Sequence, residues 1–372
     1  MFYVVFAMWR LLRFARRVQV VDAPTPAVTV LKPVCGLDQD LYENLRSFCE
    51  QDYPAYQVIF GVSDPEDPAL AVIDKLIQAL PEKDLSLVVN DRLIGTNRKV
   101  SNLANMYGSV KHEIVVIADS DMHVGPDYLR SVIASFRDTR VGAVTCLYTG
   151  IPGDGLASVL GAAFINEWFL PSVLVALSFQ KINFCFGSTM AVRRAILEQL
   201  GGFARFANLL ADDYMLGKLV SDAGYRVSLS QYVVSNVIYE PDFRTLFLHE
   251  LRWAATIRGV QPLGYSLSFI TYCIPMSLLY FAVCPGMIDG MITVAGAVLL
   301  RILMHFTARY SLGIKGRTHP LWSPLRDLLC FTIWAVGLFN RSVHWRQYTY
   351  ALKSEGQLEI TEQQKLSEDI IS

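Results

Sequence analysis

The sequence is poor in charged residues. Only 18% of its 372 residues are Asp, Glu, Lys or Arg, whereas 52% are hydrophobic. A disordered chain needs low hydrophobicity and high charge, so this composition excludes disorder. The 33 basic and 34 acidic residues leave a net charge of −1. The chain therefore has no overall basic field that would attract nucleic acid, and no nucleic-acid partner is expected.

The sequence also has no CxxC pair and no regular cysteine spacing. Its seven cysteines lie at positions 35, 49, 146, 185, 273, 284 and 330. This pattern excludes a zinc ribbon and a disulfide framework. It predicts buried, apolar thiols in a reducing compartment.

Residues 28–262 are predicted to form one α/β domain. Four short apolar runs rich in β-branched residues, at 28–31, 57–62, 85–89 and 114–118, predict strands, and helical patterns separate most of them. This alternation is typical of a mostly parallel sheet with helices on both faces. Asp or Gly follows several of these runs, which predicts a ligand-binding crevice at the carboxyl ends of the strands.

Three long apolar stretches after residue 262 predict transmembrane helices, so that 263–345 forms a membrane domain and 346–372 a tail. Residues 263–284 contain no charge and are long enough to cross about 30 Å of hydrocarbon. The stretches 286–308 and 325–343 are also largely apolar. The alternative is a set of buried core helices in a soluble protein, but three long spans in succession are hard to bury otherwise.

Residues 155–179 form a further apolar stretch, interrupted by Asn166, Glu167 and Pro171. A full membrane span is one interpretation. The proline and the position inside the predicted catalytic domain favour a helix that lies at the membrane face or lines an entry groove.

The amino-terminal segment 1–20 is predicted to be a membrane anchor. Its apolar run is too short to span a bilayer and is followed by basic residues, namely Arg10, Arg13, Arg16 and Arg17. A signal peptide has the reverse order of charge and apolar run. We therefore expect the cytosolic end of an anchor helix whose beginning is missing, with the following domain in the cytoplasm.

The basic residues near the carboxyl-terminal spans give a mixed signal. Arg309, Lys315 and Arg317 agree with the cytoplasmic side, whereas the later basic residues would lie outside: Arg341, Arg346 and Lys353. The topology of the last span therefore stays open.

Two acidic motifs follow predicted strands. Asp64, in 61-GVSDPEDPA-69, could hold a polar ligand such as a base or ribose, although an Asp-Pro turn is the simpler interpretation. Asp119 and Asp121 come directly after the apolar run 114–118. Two carboxylates at such a turn can converge on Mg²⁺ or Mn²⁺ and bridge it to a diphosphate. A DxD motif directly after a buried strand is more specific than one in a loop.

A third acidic motif, Asp212 and Asp213, begins a helical pattern. The simple interpretation is helix capping, because acidic residues are favoured in a first turn. The functional interpretation is a general base, whose pKa the adjacent carboxylate would raise.

The fourth feature is 249-HELRWAATIR-258, just before the first long apolar stretch. Arg252 offers a fork of donors that suits a diphosphate, and Trp253 offers a flat face to a sugar or a lipid. A juxtamembrane anchor of basic and aromatic residues is the alternative for this segment.

Taken in order, these four features resemble the D, D, D, (Q/R)xxRW pattern of inverting membrane glycosyltransferases. Over residues 30–265 the chain resembles the ceramide glucosyltransferase family, and within it the bacterial branch associated with hopanoid biosynthesis. The distinctive stretches are 32–57, 97–106, 119–129, 201–218 and 249–265. The resemblance implies a GT-A-type, Rossmann-like mixed sheet with attached transmembrane helices, and a UDP-sugar donor.

The resemblance also implies roles for the donor-binding residues. Asp64 would bind the uridine side, and Asp119 and Asp121 would hold Mg²⁺ or Mn²⁺ and the diphosphate. Lys99, in the NRKxSNL stretch, matches a lysine of the family near the donor phosphates.

The resemblance assigns the remaining roles to the later motifs. Asp213 would be the general base on the acceptor hydroxyl, with Asp212 beside it, and Arg252 and Trp253 would close on the leaving diphosphate. His249 departs from the Gln or Arg of most members. A neutral imidazole can still donate one hydrogen bond, so diphosphate binding is expected to become sensitive to pH.

The expected reaction is sugar transfer from the UDP-sugar to the hydroxyl of a membrane lipid. Either N-acetylglucosamine goes to a hopanoid, bacteriohopanetetrol, or glucose goes to ceramide. A processive polysaccharide synthase of the cellulose or hyaluronan type shares the same motifs, but it usually has more membrane spans. An inactive lipid-binding scaffold is the third hypothesis, although every expected acidic position is filled.

Overall fold

The computed structural model describes residues 1–16, 24–284, 286–314, 318–340, 342–345, 348–352 and 358–363. The basic residues Arg17, Lys315, Arg317, Arg341, Arg346 and Lys353, used above for topology, lie outside these ranges. The chain divides into two compact units. The sheet unit comprises Arg17–Ile151 and Phe179–Val237, and the helical unit comprises Met1–Arg16, Pro152–Ser178 and Ile238–Ser372.

The described residues form α-helices and β-strands that alternate through the first half of the chain. The helices are α1 (Phe2–Ala15), α2 (Leu41–Cys49), α3 (Ala69–Ala79), α4 (Arg98–Tyr107), α5 (Tyr128–Ile133), α6 (Leu156–Phe164), α7 (Leu170–Ala176), α8 (Arg194–Gln199), α9 (Asp212–Asp222), α10 (Phe243–Val260), α11 (Pro262–Leu267), α12 (Cys273–Val283), α13 (Met287–Leu312) and α14 (Trp322–Gly337). The strands are β1 (Val28–Val34), β2 (Tyr56–Val62), β3 (Leu85–Val89), β4 (Ile114–Ile117), β5 (Met122–His123), β6 (Val141–Pro152), β7 (Met190–Arg193), β8 (Arg226–Ile238), β9 (Ser342–Trp345), β10 (Tyr348–Leu352) and β11 (Leu358–Gln363).

The sheet unit is built on a mixed sheet of eight strands in the order β3-β2-β1-β4-β7-β6-β8-β5. The four apolar runs predicted as strands are β3, β2, β1 and β4, and they pair in parallel. From β7 onward the pairing is antiparallel: β7 with β4, β6 with β7, and β5 with β8. Successive side chains of a strand point to opposite faces, and β1 accordingly contributes Val30 to one apolar core and Leu31 to the other.

The helical unit collects the apolar helices. Within it, α1 packs against α7 and α13, and α10 packs against α14. Residues 152–178 and 238–262 belong to this unit, whereas the sequence predicts them as part of the 28–262 domain. The difference arises because α6 packs on α14 and α7 packs on α1, so that the apolar faces of these segments are buried among the other apolar helices.

Among the described residues, two helices are long and apolar enough to cross a membrane, Leu156–Ala176 and Met287–Leu312. The first one is the stretch for which the sequence favoured a helix at the membrane face because of Pro171. A π-helical turn at Ile165–Phe169 joins α6 to α7. Such a widened turn accommodates a proline ring inside a membrane helix.

The stretch 263–284 is not one straight helix. Its two helical pieces, Pro262–Thr271 and Cys273–Val283, meet at an angle of 63° and count as a third span only if taken together. Pro275 in the first turn of α12 explains the break, because its ring clashes with a continuing preceding turn. The last predicted span, 325–343, overlaps the 16-residue α14, which reaches about 24 Å.

The remaining expectations concern the termini and the thiols. The 14-residue α1 forms where the anchor is predicted, and the anchoring role stays a prediction. The strands β9, β10 and β11 form a three-stranded antiparallel sheet in the order β11-β10-β9. None of the seven cysteines, all of which the structure describes, forms a disulfide. Five of them are buried, whereas Cys35 is exposed and Cys284 is partly exposed, contrary to the prediction for these two.

Candidate functional site

The loop after β4 carries Asp119 and Asp121 at the carboxyl end of the central parallel strands. The Asp119 N–H donates to the Gly187 carbonyl at 3.3 Å, which ties this loop to the segment before β7. Ser120 lies between the two carboxylates and donates its hydroxyl to Asp38 Oδ2 at 2.8 Å. The DxD motif is therefore anchored through its backbone and its central serine, and its carboxylates are left for other contacts.

Lys99 connects the DxD motif to the acidic pair of α9. Its Nζ lies 2.6 Å from Asp119 Oδ1 and 3.3 Å from Asp212 Oδ2. Burial lowers the pKa of Lys99, but Asp119, Asp212 and Asp213 outweigh that effect and hold the pKa above its usual value. The structure thus brings together four of the residues predicted from sequence: Lys99, Asp119, Asp212 and Asp213.

The start of α4 positions Lys99. Asn97 caps this helix by accepting from the Val100 N–H at 3.1 Å, and its amide donates to the Leu209 carbonyl at 2.8 Å. A Cβ on Gly95 would lie 2.5 Å from the Ala207 carbonyl oxygen, so only glycine allows the two loops to approach this closely. The loop before α4 therefore fixes the loop that leads into α9.

Asp212 and Asp213 occupy the first turn of α9, but their side chains do not act as its N-cap. The cap residue is Ala211, and it makes no side-chain cap bond. Asp213 Oδ2 accepts the Gly187 N–H at 2.8 Å, and its Oδ1 accepts the Tyr214 N–H at 2.7 Å. Asp212 ion-pairs with Lys99. Both side chains reach across the fold, which favours the functional interpretation over helix capping.

Gly187 is a central residue that the sequence interpretation missed. It accepts from Asp119 through its carbonyl and donates to Asp213 through its N–H. A Cβ at this position would lie 2.6 Å from Asp119 Oδ2 and 3.6 Å from Asp213 Oδ2. The missing side chain therefore leaves open the space between the two carboxylates. A signal existed in the FCFGST stretch, where a glycine stands three residues before the start of β7.

Lys32 is a second residue that sequence interpretation missed. It is fully buried at the end of β1, donates from Nζ to the Asp119 carbonyl, and lies 3.7 Å from the centre of the Phe48 ring. Burial lowers its pKa to about 7, while Asp121 and Asp119 act in the opposite direction. A fully buried lysine is rare, and this one stabilises the DxD loop through its hydrogen bond to the Asp119 carbonyl.

Two carboxyl groups of the cluster have raised pKa values. Burial, Asp119 and Asp38 raise the pKa of Asp121 to about 7, against the effect of Lys32. Burial and the neighbouring Asp212 raise the pKa of Asp213 to about 6, against the effect of Lys99. Perturbed carboxyl groups at a strand-end crevice are typical of functional sites.

Within the part of the chain that the structure describes, no three His, Cys, Asp or Glu side chains form a group that could hold a metal ion on their own. Asp121 Oδ1, however, is buried with no hydrogen-bond partner among the described residues. Such an oxygen suits a divalent cation, because Mg²⁺ and similar ions are bound by one or two carboxylates together with substrate phosphates. Asp119 and Asp121 fit this kind of site.

Asp64 does not join the ion pairs of Lys99. It is exposed after β2 and its Oδ1 accepts the Glu66 N–H at 2.9 Å, which is the turn that the simpler interpretation predicts. The neighbouring Asp67 is buried and holds the Gly36 N–H at 2.8 Å. A uridine-binding role for Asp64 stays a prediction.

His249, Arg252 and Trp253 lie on α10 of the helical unit. His249 Nδ1 is 2.7 Å from Glu240 Oε1, and its ring centre is 4.5 Å from that of Trp253. Trp253 also stacks on Phe164, with ring centres 5.7 Å apart. These contacts give the histidine and the tryptophan fixed orientations.

The sequence profile of Glycosyl transferase family 21 matches residues 1–358 of the chain. The chain belongs to this family. Among relatives of this family 21 protein, ceramide glucosyltransferase 3 of Caenorhabditis elegans is 23% identical over 91% of this chain and 75% of its own length. The ceramide glucosyltransferase of Komagataella phaffii is 34% identical, over 35% of this chain and 26% of its own length.

A solved structure similar to the family 21 chain is mannosyltransferase PcManGT from Pyrobaculum calidifontis in complex with GDP-Man and Mn²⁺. The TM-score is 0.54 at 20% identity, and the match covers 91% of this chain and 94% of that one. The expected GT-A-type mixed sheet and the resemblance to ceramide glucosyltransferases are thereby confirmed. The family 21 protein is a glycosyltransferase related to ceramide glucosyltransferases, and the hopanoid branch stays a prediction.

Proposed function

We propose that this family 21 enzyme transfers a sugar from a UDP-sugar to the hydroxyl of a membrane lipid, with inversion at the anomeric carbon. The transfers considered are glucose to ceramide and N-acetylglucosamine to a hopanoid. The observation that carries the proposal is the convergence of Lys99, Asp119 and the Asp212–Asp213 pair around Gly187. The names of the curated relatives support the lipid acceptor.

Asp213 is the proposed general base. Its Oδ2 is held by the Gly187 N–H, and burial beside Asp212 raises its pKa to about 6. The carboxylate takes the proton of the acceptor hydroxyl while the oxygen forms a bond to the anomeric carbon. The bond from that carbon to the β-phosphate oxygen breaks, and UDP leaves with the electron pair. One displacement of this kind converts an α-linked donor into a β-glycoside.

The other residues of the cluster are proposed to stabilise the negative charge of the leaving diphosphate. Asp119 and Asp121 would hold Mg²⁺ or Mn²⁺, which as a bound Lewis acid supplies electrostatic stabilisation of that charge. Lys99 is proposed to leave its carboxylate partners and bind the phosphates of the donor. Its ammonium group already lies between the carboxylates of Asp119 and Asp212. Asp64 is proposed to bind the uridine side.

The (Q/R)xxRW resemblance supports a role for α10 in donor binding. Arg252 is proposed to bind the diphosphate with its fork of donors, and Trp253 to present its ring to the sugar or the lipid. His249, in place of the usual Gln or Arg, is proposed as a further donor to the diphosphate.

The apolar helices support a location in a membrane. In the part of the chain that the structure describes, two helices, or three with the bent pair, are long and apolar enough to span one. We propose that the catalytic domain lies in the cytoplasm, because Arg10, Arg13 and Arg16 follow the apolar run of α1.

The proposal is tested by UDP release from membranes that contain the full chain. We expect UDP release from UDP-glucose or UDP-N-acetylglucosamine that depends on the lipid acceptor, and removal of divalent cations with EDTA should lower the rate at least about 10²-fold. Release of no UDP from either donor would support the inactive scaffold. A long polymer on a gel would support the processive synthase instead.

The pH dependence of turnover follows from the raised pKa of Asp213. A base works only when ionised, so activity should be low below pH 6, rise through about pH 6, and level off above it. The measurement is kcat against pH at saturating Mn²⁺ and UDP-sugar. A rise centred near pH 4, the ordinary range of an aspartate, would contradict the assignment of this buried group as the base.

A further inference from the structure

A serine between the two carboxylates of the DxD motif is bonded to a third acidic residue of the sheet unit. Ser120 is buried and donates its hydroxyl to Asp38 Oδ2 at 2.8 Å. The preceding residue is held through its backbone, because the Asp119 N–H donates to the Gly187 carbonyl at 3.3 Å and the Asp119 carbonyl accepts from Lys32. The bond from Ser120 to Asp38 therefore continues the fixation of the loop from Asp119 toward the second carboxylate.

Asp38 is presented by a loop that is itself fixed. This loop joins β1 to α2, and its Gly36 N–H donates to both carboxylate oxygens of Asp67, at 3.1 and 2.8 Å. Asp67 is buried, and Gly36 has a φ of 71°, which favours glycine. At the start of α2, the Leu41 N–H donates to the Asp38 carbonyl at 3.2 Å. The Asp38 carboxylate is thus held between a bond to the loop after β2 and the first turn of a helix.

A divalent cation bound by Asp119 and Asp121 requires both carboxylates to face the same point. Asp121 Oδ1 is buried with no hydrogen-bond partner among the described residues, so no bond to this oxygen orients the carboxylate. Its direction then depends on the backbone that precedes it. If Ser120 were free, the loop would have more conformations to lose when the metal binds, and that loss costs conformational entropy. Groups that orient a metal ligand typically change metal affinity about 10–100-fold.

We propose that Asp38 is a positioning residue for the metal, whose bond to Ser120 holds the DxD loop in the conformation in which Asp119 and Asp121 bind one divalent cation. The inference rests on the proposed function, since it concerns the cation that accompanies the donor diphosphate. Asp38 is not a ligand in this account. The inference gives a role to the distinctive stretch 32–57, in which the sequence analysis assigns none.

The test measures Mn²⁺ binding by the full-length protein in the presence of UDP. The EPR signal of free Mn²⁺ is followed, and a UDP titration without protein supplies the blank. Ser120→Ala removes the hydroxyl and keeps the charge of Asp38, and we expect it to weaken Mn²⁺ binding about tenfold. In the Asp38→Ala background the same serine substitution should change the affinity less than about twofold, because the bond is already absent.

Asp38→Asn separates the hydrogen bond from the charge. The charge of Asp38 also acts on the site, since it contributes to the raised pKa of Asp121. Asp38→Asn and Asp38→Ala both remove this charge, but only asparagine retains an oxygen that can accept from Ser120. Mn²⁺ should therefore bind Asp38→Ala about tenfold more weakly than Asp38→Asn. Equal affinities of these two variants would overturn the inference.

Asp84→Ala is the matched control. It also removes one acidic charge from the sheet unit, but Asp84 precedes β3 at the amino ends of the parallel strands and pairs with Lys111 at 2.8 Å. Its Mn²⁺ affinity should stay within about twofold of wild type. Melting curves without Mn²⁺ should show that every variant is folded.

Two further outcomes would count against the inference. Equal losses from Ser120→Ala with and without Asp38, or no loss in wild type, would overturn it while leaving the proposed function intact. Failure of the wild type to bind Mn²⁺ in the presence of UDP would also overturn it, and the additional absence of UDP release from a UDP-sugar would overturn the proposed function as well.

Discussion

Asp213→Asn is expected to lower kcat by about 10²–10⁴-fold, because the variant has no base to take the acceptor proton. Asparagine has the same shape, and its amide oxygen can still accept the Gly187 N–H, but its amide nitrogen then faces the Tyr214 N–H, which loses its acceptor. A carboxyl whose folded pKa is raised gives its full stabilisation at low pH and loses it as pH rises through about 6. Above that pH, removal of the buried charge offsets the lost bond from the Tyr214 N–H, so the variant should stay folded with a melting temperature close to that of wild type.

The matched control for this variant is Asp222→Asn at the other end of α9. Asp222 is exposed and pairs with Lys218 at 2.8 Å, so its loss should change kcat less than about twofold, as is usual for a surface pair. The measurement is turnover of UDP-sugar together with thermal melting. A folded Asp213→Asn enzyme with near-normal turnover would mean that another group is the base.

Gly187→Ala is expected to lower kcat/KM at least about 10²-fold, since small misplacements of catalytic groups have effects of this size. The added methyl would lie 2.6 Å from Asp119 Oδ2 and must displace it. The displaced atom is the end of a side chain, which can rotate, so the fold should be retained. The variant should therefore remain folded but bind the metal and donor poorly.

Gly108→Ala is the matched control in the same unit. A Cβ at Gly108 meets no atom within 4 Å, and its φ of −61° suits any residue. This variant should retain normal activity and be as stable as wild type or slightly more stable. If Gly187→Ala were as active as Gly108→Ala, the space between Asp119 and Asp213 would not be part of the site.

The parallel half of the sheet could be predicted from sequence because each strand is a separate apolar run. The runs at 28–31, 57–62, 85–89 and 114–118 became β1, β2, β3 and β4. The antiparallel half was harder to predict. Its strands β6 and β8 are 12 and 13 residues long. β6 is exposed only near its end, and β8 mixes buried and partly exposed positions along its length, so neither shows a short apolar run with clear turn signals.

The apolar helices were predictable in composition but not in shape. Apolar length alone located Met287–Leu312, but it did not reveal the break before Cys273 or the short length of α14. For the helix Leu156–Ala176, Pro171 and the position inside the predicted catalytic domain favoured a location at the membrane face, with a full span as the other interpretation. The π turn that accommodates this proline depends on backbone geometry, which hydropathy does not report.

The acidic residues of the site were predictable for two reasons. They follow the order D, D, D, (Q/R)xxRW of a known family, and Asp119 and Asp121 come directly after an apolar run that predicts a strand. The residues missed were those that act through the backbone or from the interior. Gly187 works through its N–H, its carbonyl and its missing side chain, and Lys32 and Glu240 are buried behind other residues. The partners of these residues lie 9 to 87 positions away in the sequence, and only the tertiary structure brings them into contact. Local sequence patterns do not reveal such contacts.

The most direct test of the central claim is the structure of the product. Membranes with the full chain and Mn²⁺ would receive α-linked UDP-glucose or UDP-N-acetylglucosamine, each with ceramide and with bacteriohopanetetrol, and the lipid extract would be analysed by mass spectrometry and NMR. We predict a lipid that carries one β-linked sugar, and the mass of sugar and lipid would identify the transfer. An α-linked product, or no glycolipid and no UDP release, would contradict a single displacement with Asp213 as the base.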